Sequence, residues 1–327
     1  MKTITAREHE LITSAIGEGL TALPEGVIEK DLLITAVLRI ISTIDSDDIQ
    51  LIFCGGTCLS KAHGLIERMS EDIDFKLILP KGLSRTARSR QLGQFKRHFA
   101  AVFEEAGFLV PPEQIVARDE NSYVSLNLHY QSRFPAVASL RPEIKVELNA
   151  RPPALPTLSL PIQSMLAAMT QASVADFQIE CISVEETLAE KVLSFLRRTA
   201  EVRAGRNRAD YDDRLVRHLY DVRAIADARK NLPTELPFEH FAAMVAGDAA
   251  QYRNQYPEFE RDPVGQMRIV MAALQDEPEA FDRDYAQFVD ELVFGEPVTF
   301  VEARAAFVDL AERLLSHEAL ADMGTAK

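Results

Sequence analysis

The spacing of apolar residues predicts a first half of the chain that mixes helices with strands. Apolar side chains recur every three or four residues over residues 6–43, the pattern of helices packed on one face. Residues 84–106 are predicted to form a further helix, ended by Gly107. Four short strands are predicted around it, at residues 49–53, 73–79, 123–130 and 144–149. The proline-rich run 151–161 is expected to form only a connection.

The second half is predicted to be almost entirely helical. Residues 183–186, Ser-Val-Glu-Glu, match a capping box, so a helix is expected to start at Ser183. The buried stripe of this helix is Leu188, Val192, Phe195 and Leu196. Lys191 lies at the edge of the stripe, where its side chain can reach out of the core.

Together these patterns predict a bilobal α/β (α+β) protein. The 327 residues, 47% of them hydrophobic, are enough to bury a sizeable core. We place the first lobe, with the strands and the N-terminal helices, at residues 1–176. The helical second lobe is placed at residues 177–327.

The second predicted strand carries aspartates on alternate positions. Side chains in a strand alternate between its faces, so Asp72 and Asp74 share a face while Ile73 and Phe75 point the other way. Two neighbouring carboxylates repel each other unless a divalent cation neutralises them or one stays protonated. A magnesium ion that also binds a triphosphate is the simplest use. Glu71 falls on the apolar face and is the poorer ligand.

A glycine pair precedes this strand and suits phosphate binding. Gly55 and Gly56 allow a tight turn whose backbone N–H groups can approach phosphate oxygens, and Thr57 can begin a helix whose N-terminus favours negative charge. Glu147, on the polar face of the strand at 144–149, is a candidate third metal carboxylate. It could equally pair with Lys145 or an arginine.

The charge distribution is uneven. The net charge is -14, yet residues 81–98 carry six basic and no acidic residues, and residues 191–223 carry nine basic against five acidic. Basic clusters of this kind can attract a polyanion, although solvated helix surfaces have the same composition. The candidate residues for binding such a polyanion, a nucleic acid, are Arg85, Arg88, Arg90, Arg197 and Arg198.

Other classes of protein are disfavoured by the sequence. Three cysteines form no Cys-x-x-Cys pair, and no histidine spacing suits a metal. The chain has no apolar run of 18 residues or more, and its start has no apolar segment typical of a signal peptide. We therefore expect a cytoplasmic protein without a membrane partner.

Two blocks of the sequence carry a family resemblance. The first block resembles the AbiEii nucleotidyltransferase toxins, a branch of the DNA polymerase beta-like superfamily. It consists of residues 55–61, Gly-Gly-Thr-Cys-Leu-Ser-Lys, and residues 68–74, Arg-Met-Ser-Glu-Asp-Ile-Asp. The second block resembles two further segments of that family. It consists of residues 186–191, with Glu and Lys at the ends, and residues 217–222, Arg-His-Leu-Tyr-Asp-Val. The resemblance implies a polymerase beta-like nucleotidyltransferase sheet with a helical C-terminal lobe that contributes to the active site.

The resemblance also implies roles for particular residues. It places Ser70 at the site, gives Lys191 the task of contacting the phosphates, and makes Asp221 a base or a residue that positions Lys191. This chain has His218 where the family often has Asp. Because a polar insert separates Lys191 from Asp221, Asp212 and Asp213 stay open as alternatives to Asp221.

The function implied is that of a toxin. A Mg2+-dependent enzyme of this kind moves a nucleoside monophosphate from an NTP to an RNA acceptor, in particular a tRNA 3' end, and so blocks translation. A cognate antitoxin, often a DNA-binding regulator, is implied as partner in a type IV toxin–antitoxin system. Two alternatives stay open, namely a nucleotidyltransferase acting on protein or a small molecule, and a non-catalytic NTP-binding protein. The sequence leaves the NTP, the acceptor and the oligomeric state open.

Overall fold

In the computed structural model of the chain, the described residues are 1–46, 48–170, 177–206, 212–229 and 236–320. They form two compact units, Met1–Ser183 and Val184–Lys327. The mixed α/β fold class is as predicted. The lobe boundary predicted between residues 176 and 177 falls earlier than the division of the structure, because the last strand of the first unit's sheet comes after it.

A seven-stranded mixed sheet forms the centre of the first unit. Its strands are β1 (Gln50–Cys54), β2 (Asp72–Ile78), β3 (Val116–Arg118), β4 (Tyr123–His129), β5 (Glu143–Asn149), β6 (Leu158–Pro161) and β7 (Gln178–Cys181). Their order across the sheet is β3-β4-β5-β2-β1-β7-β6. The strand β2 is antiparallel to β1 on one side and parallel to β5 on the other. This arrangement puts the strand with the two aspartates near the middle of the sheet.

Five α-helices belong to the described part of this unit: α1 (Ala6–Gly17), α2 (Glu25–Ser42), α3 (Gly55–Lys61), α4 (Arg85–Glu105) and α5 (Met165–Met169). The helical pattern predicted over residues 6–43 is therefore two helices, the second of which is preceded by Pro24. The predicted ending of α4 at Gly107 agrees with the structure, since Ala106 caps the helix and Gly107 has a φ of 92°.

The proline-rich run was predicted to be only a connection, and this is wrong at its C-terminal end. Leu158–Pro161 forms β6, at the edge of the sheet, where it pairs with β7 alone. An edge strand tolerates proline because one side of its backbone needs no partner.

The second unit is helical in its described residues. Its helices are α6 (Val184–Arg203), α7 (Arg217–Arg229), α8 (Phe238–Tyr252), α9 (Pro257–Arg261), α10 (Pro263–Asp276), α11 (Glu279–Leu292) and α12 (Phe300–Leu315). The predicted stripe of α6 is fully buried, and the ring centroid of Phe195 lies 4.9 Å from that of Phe307 on α12. No helix among the residues described is long and apolar enough to cross a membrane.

Candidate functional site

The strand β2 presents its two aspartates on the polar face of the sheet, as the alternation predicts. Ile73, Phe75 and Leu77 are buried on the other face, and the Phe75 ring stacks on Phe53 of β1 at 5.3 Å between centroids. Asp72 and Asp74 are partly exposed. The apolar face thus anchors β2, and the acidic face is left for chemistry.

The first glycine makes room for an aspartate. Gly55 has a φ of 77°, a left-handed conformation that side chains disfavour, and a Cβ built there would lie 2.3 Å from Oδ2 of Asp74. A Cβ at Gly56 would lie 2.7 Å from Nη2 of Arg68 and 2.8 Å from Oγ of Ser70. The glycine pair therefore allows this turn to pack directly against Asp74 and Ser70.

The helix after the turn starts earlier than expected. The sequence predicts that Thr57 begins it, but α3 begins at Gly55 with Cys54 as its N-cap. Thr57 is instead fully buried, its hydroxyl bonded to the backbone carbonyl of Asp72 and 3.0 Å from Oγ of Ser70. Its side chain ties α3 to the start of β2, so any phosphate contact at this residue would have to come from its backbone.

Arg141 was not predicted and is the cation nearest to Asp72 in the described contacts. Its Nη1 forms an ion pair with Oδ1 of Asp72. Burial lowers the pKa of the Arg141 guanidinium, but the carboxylates of Asp72 and Glu71 outweigh this effect and raise it overall. Arg141 lies just before β5, far from Asp72 in sequence, and no local pattern marks it.

Glu147 lies next to Asp74, because the two residues are directly paired across β5 and β2. Nζ of Lys145 is 2.6 Å from Oε1 of Glu147, and the hydroxyl of Tyr123 donates to the same oxygen. Burial raises the pKa of the Glu147 carboxyl, but the ammonium of Lys145 and the hydrogen bond from Tyr123 hold it below its usual range. The predicted alternative, a pair with Lys145, is therefore present in the structure.

The carboxylates on this face fit magnesium in kind. Carboxylate oxygens are its preferred protein ligands. Arg141 and Lys145, however, already balance Asp72 and Glu147. Within the described ranges, no three or more His, Cys, Asp and Glu side chains are grouped so that they could hold a metal ion. The role of Glu147 as a third ligand stays a prediction.

Behind this face lies a buried group of charged residues that the sequence analysis missed. Nζ of Lys30 is 2.5 Å from Oε2 of Glu71 and donates to the backbone carbonyl of Arg141 at 2.7 Å. The backbone N–H of Arg141 donates to the same Glu71 oxygen at 2.9 Å. Glu71 thus fixes the backbone of the residue whose side chain pairs with Asp72.

Lys30 is the middle of three consecutive buried charged residues in α2. Glu29 accepts hydrogen bonds from the Ser132 hydroxyl and the Arg133 backbone N–H. Asp31 pairs with Nζ of Lys61 at 2.5 Å and accepts from the backbone N–H of Met165. Sequence could have revealed this group, because a Glu-Lys-Asp run inside an otherwise apolar helical pattern must bury at least one charge.

In the second unit, Lys191 and Asp221 form a buried ion pair. Nζ of Lys191 lies 2.7 Å from Oδ2 of Asp221, and the side chains are 7% and 0% exposed. The expectation that Lys191 reaches out of the core is wrong, since Asp221 holds it inside. His218, one turn before Asp221, is buried and its Nδ1 has no hydrogen-bond partner; burial and the Lys191 and Arg217 cations keep its pKa well below the usual value.

The alternatives to Asp221 have other partners. Asp212 pairs with Nη2 of Arg198 at 2.9 Å and accepts from the Arg214 backbone N–H. Asp213 begins a short 3-10 helix, Asp213–Val216. Of the three acids, the described contacts pair only Asp221 with Lys191.

The arginines predicted to bind RNA differ in their surroundings. Arg197 is buried, pairs with Asp248 at 3.0 Å and Glu201 at 3.2 Å, and its guanidinium lies 4.0 Å from the ring centroid of Tyr252. The structure therefore corrects this prediction, because these contacts keep Arg197 away from a surface polyanion.

The basic helix α4 is better exposed. Arg90 is exposed, Arg85 pairs with Glu120 at the surface, and Nη2 of Arg88 donates to the backbone carbonyl of Ala150 at 2.9 Å. Arg198 is partly exposed beside Asp212. RNA binding at these four residues stays a prediction.

Known proteins resemble this chain in sequence family and in fold. The family model described as "Nucleotidyl transferase AbiEii toxin, Type IV TA system" matches residues 38–313. A solved structure of MenT4, the nucleotidyltransferase toxin Rv2826c from Mycobacterium tuberculosis H37Rv, is similar in fold, with a TM-score of 0.54 and 18% sequence identity over 98% of this chain and 100% of that chain. No curated protein matches the sequence. Because the family model covers most of the chain, the protein belongs to the AbiEii family of nucleotidyltransferase toxins of type IV toxin–antitoxin systems.

Proposed function

We propose that this toxin transfers a nucleoside monophosphate from an NTP to an RNA acceptor, with Mg2+ bound by Asp72 and Asp74. The observation that carries the proposal is the arrangement around β2, where Gly55 packs against Asp74 and Glu147 lies on the neighbouring strand. A phosphate-binding turn, two alternate carboxylates and a third acid beside them suit phosphoryl transfer.

In the proposed reaction, a hydroxyl oxygen of the acceptor forms a bond to the α-phosphorus of the NTP. The bond from that phosphorus to the oxygen bridging to the β-phosphate breaks, and pyrophosphate leaves. Bound Mg2+ would neutralise phosphate charge. The hydroxyl proton would pass to Glu147, which lies beside Asp74 on the neighbouring strand, as the bond to phosphorus forms.

The remaining residues orient the reactants. The backbone N–H groups of residues 55–57 would contact the β- and γ-phosphates, with the Ser70 hydroxyl beside them. By family resemblance, Lys191 would contribute positive charge to the phosphates, which requires its side chain to leave the buried position it has beside Asp221. Asp221, fully buried against Lys191, would position that lysine rather than act as a base.

By family resemblance, we propose the 3' end of tRNA as acceptor and a cognate antitoxin as partner, possibly one that binds DNA as a regulator. Such an acceptor would be met in the cytoplasm. The exposed arginines of α4 support an RNA acceptor over a small molecule, which would need no extended basic surface.

The test is to incubate the full chain with Mg2+, total tRNA and each α-labelled NTP in turn, and to separate the products on a denaturing gel. We expect label on tRNA when Mg2+ is present, and no label when Mg2+ is left out or when Asp74 is replaced. Label on protein would instead favour the protein-modifying alternative. NTP binding without any labelled product would favour the non-catalytic one.

A further inference from the structure

A cavity of about 390 Å³ opens on the outer strands of the first unit's sheet and has no role in the function proposed so far. Its lining includes polar, aromatic and basic side chains, those of Gln114, Arg118, Tyr123, Asn127, Arg141 and Lys145. Its volume is within the range of small-ligand sites. Tyr123 and Asn127 lie on the same face of β4, and Asn127 is paired with Lys145 of β5 across the two strands.

Two walls of the cavity connect it to the acidic face of β2. Arg141 lines the cavity and pairs with Asp72, and Lys145 lines it and pairs with Glu147. A ligand that touched both cations would therefore reach the carboxylates proposed to run the reaction.

The position of the cavity distinguishes it from the region proposed for the donor phosphates. Gly55 and Gly56 follow β1, on one side of β2, whereas the cavity lies over β3, β4 and β5 on the other side. The two regions flank Asp72 and Asp74. In a transfer reaction, donor and acceptor must approach the metal carboxylates from different directions.

The lining is suited to a nucleotide rather than to a bare anion. Arg118, Arg141 and Lys145 line the cavity beside one acid, Glu143, and the carboxylates that pair with Arg141 and Lys145, on Asp72 and Glu147, are not part of the lining. The guanidinium of Arg118 lies 5.8 Å from the ring centroid of Tyr123, and an aromatic ring beside a guanidinium is a typical stacking surface for a base.

Two amide side chains add hydrogen-bonding groups of fixed orientation. Nδ2 of Asn127 donates to Oε1 of Gln114 at 3.3 Å, and Nε2 of His129 lies 2.7 Å from the same oxygen. Paired amides held in this way can read the edge of an unstacked base.

We propose that this cavity binds a nucleotide of a single-stranded RNA acceptor next to the hydroxyl that is modified. This inference rests on the proposed function and deepens it, because it locates the acceptor. Stacking at Tyr123 and Arg118 would hold the base, while Arg141 and Lys145 would hold its phosphate beside the carboxylates.

The test measures RNA binding without NTP, so that it does not depend on catalysis. A fluorescent single-stranded oligoribonucleotide is titrated with the full chain and with the variants Arg118→Ala and Asn127→Ala, and the anisotropy is followed. The matched control is Arg7→Ala, which removes one positive charge from an exposed position on α1 outside the cavity. We expect about tenfold weaker binding for Arg118→Ala and a smaller loss for Asn127→Ala, with Arg7→Ala close to wild type.

Arg118 is exposed on β3, so its truncation leaves the fold intact even if Asn127→Ala lowers stability. Equal binding by Arg118→Ala and Arg7→Ala would overturn the proposal, as would equal or tighter binding of DNA of the same sequence. In the transfer assay, the cavity variants should raise the KM for RNA but not the KM for NTP; the opposite result would assign the cavity to the donor. If wild type binds RNA through the cavity yet labels no RNA with any NTP, the proposed function fails while the binding inference holds.

Discussion

Replacing Lys30 by Met should destabilise the protein severely, because it leaves a buried carboxylate without its cation. The Lys30 side chain has no exposed area and that of Glu71 is 10% exposed. In the variant, Glu71 would retain the backbone N–H of Arg141, at 2.9 Å, but lose the ammonium at 2.5 Å. Breaking a buried ion pair from one side costs about 3–5 kcal/mol.

The double variant tests the cause. Adding Glu71→Gln to Lys30→Met removes the unpaired charge while keeping an oxygen for the Arg141 N–H, so most of the lost stability should return. Urea unfolding of the full chain measures both variants. The control Lys81→Met, at an exposed position, should stay within about 0.5 kcal/mol of wild type.

Nucleotide-transfer activity should change across these variants in the same order as stability. The Lys30–Glu71 pair holds the backbone of Arg141 from both its N–H and its carbonyl, so Lys30→Met should also reduce nucleotide transfer in the fraction that stays folded. The reasoning would be refuted by a loss of stability below about 1 kcal/mol for Lys30→Met, or by a double variant less stable than the single one.

Four other predictions use the same purified protein. Asp74→Asn should abolish transfer with an unchanged melting temperature, and a folded variant with normal turnover would contradict the metal assignment. Gly55→Ala should abolish transfer, whereas Gly82→Ala should only lower the free energy of unfolding by about 1 kcal/mol. Both glycines have positive φ, but only Gly55 has a neighbour within 4 Å of an added Cβ. Equal activities of the two variants would contradict this prediction. Lys191→Met should cost about 3–5 kcal/mol as well as activity, since its partner carboxylate is fully buried; a variant as stable as wild type in urea would count against the buried pair. His218 is held neutral in the folded protein, so its protonation in the unfolded chain below pH 6.5 should lower stability by up to about 1.4 kcal/mol per pH unit. His218→Gln should remove this contribution when the free energy of unfolding is measured from pH 6.5 to 5. An unchanged dependence on pH would refute the prediction.

Local patterns in the sequence predict the four strands β1, β2, β4 and β5 of the first unit but not their partners. The alternation in β2 separates Asp72 and Asp74 from the apolar face because strand geometry has a period of two residues. The register that brings Glu147 beside Asp74 joins strands some seventy residues apart, and nothing in either strand specifies it. Strand order was therefore found only in the structure.

The structure differs from the predictions for Lys191, Arg197 and Thr57 for physical reasons. Lys191 and Arg197 were expected at the surface because charged side chains usually are, yet each is buried against a carboxylate of another helix. Thr57 was expected to start a helix because threonine is a good N-cap, yet the helix already begins at Gly55, two residues earlier, where φ is positive. For Lys191 and Arg197 a contact distant in sequence outweighed a local preference, whereas for Thr57 a neighbouring glycine did.

The buried Glu-Lys-Asp run of α2 explains how one helix positions the first unit's part of the candidate site. Each of its three charges binds a different part of the first unit: Glu29 the segment after β4, Lys30 the start of β2, and Asp31 the end of α3. Replacing a buried ion pair by apolar residues of similar volume is often neutral or stabilising, so stability alone does not account for these pairs. Ion pairs instead require one geometry, and the parts they fix are those that carry Asp72, Gly55 and Arg141. We infer that α2 holds the Gly55–Gly56 turn and the strand β2 in one arrangement at some cost in stability.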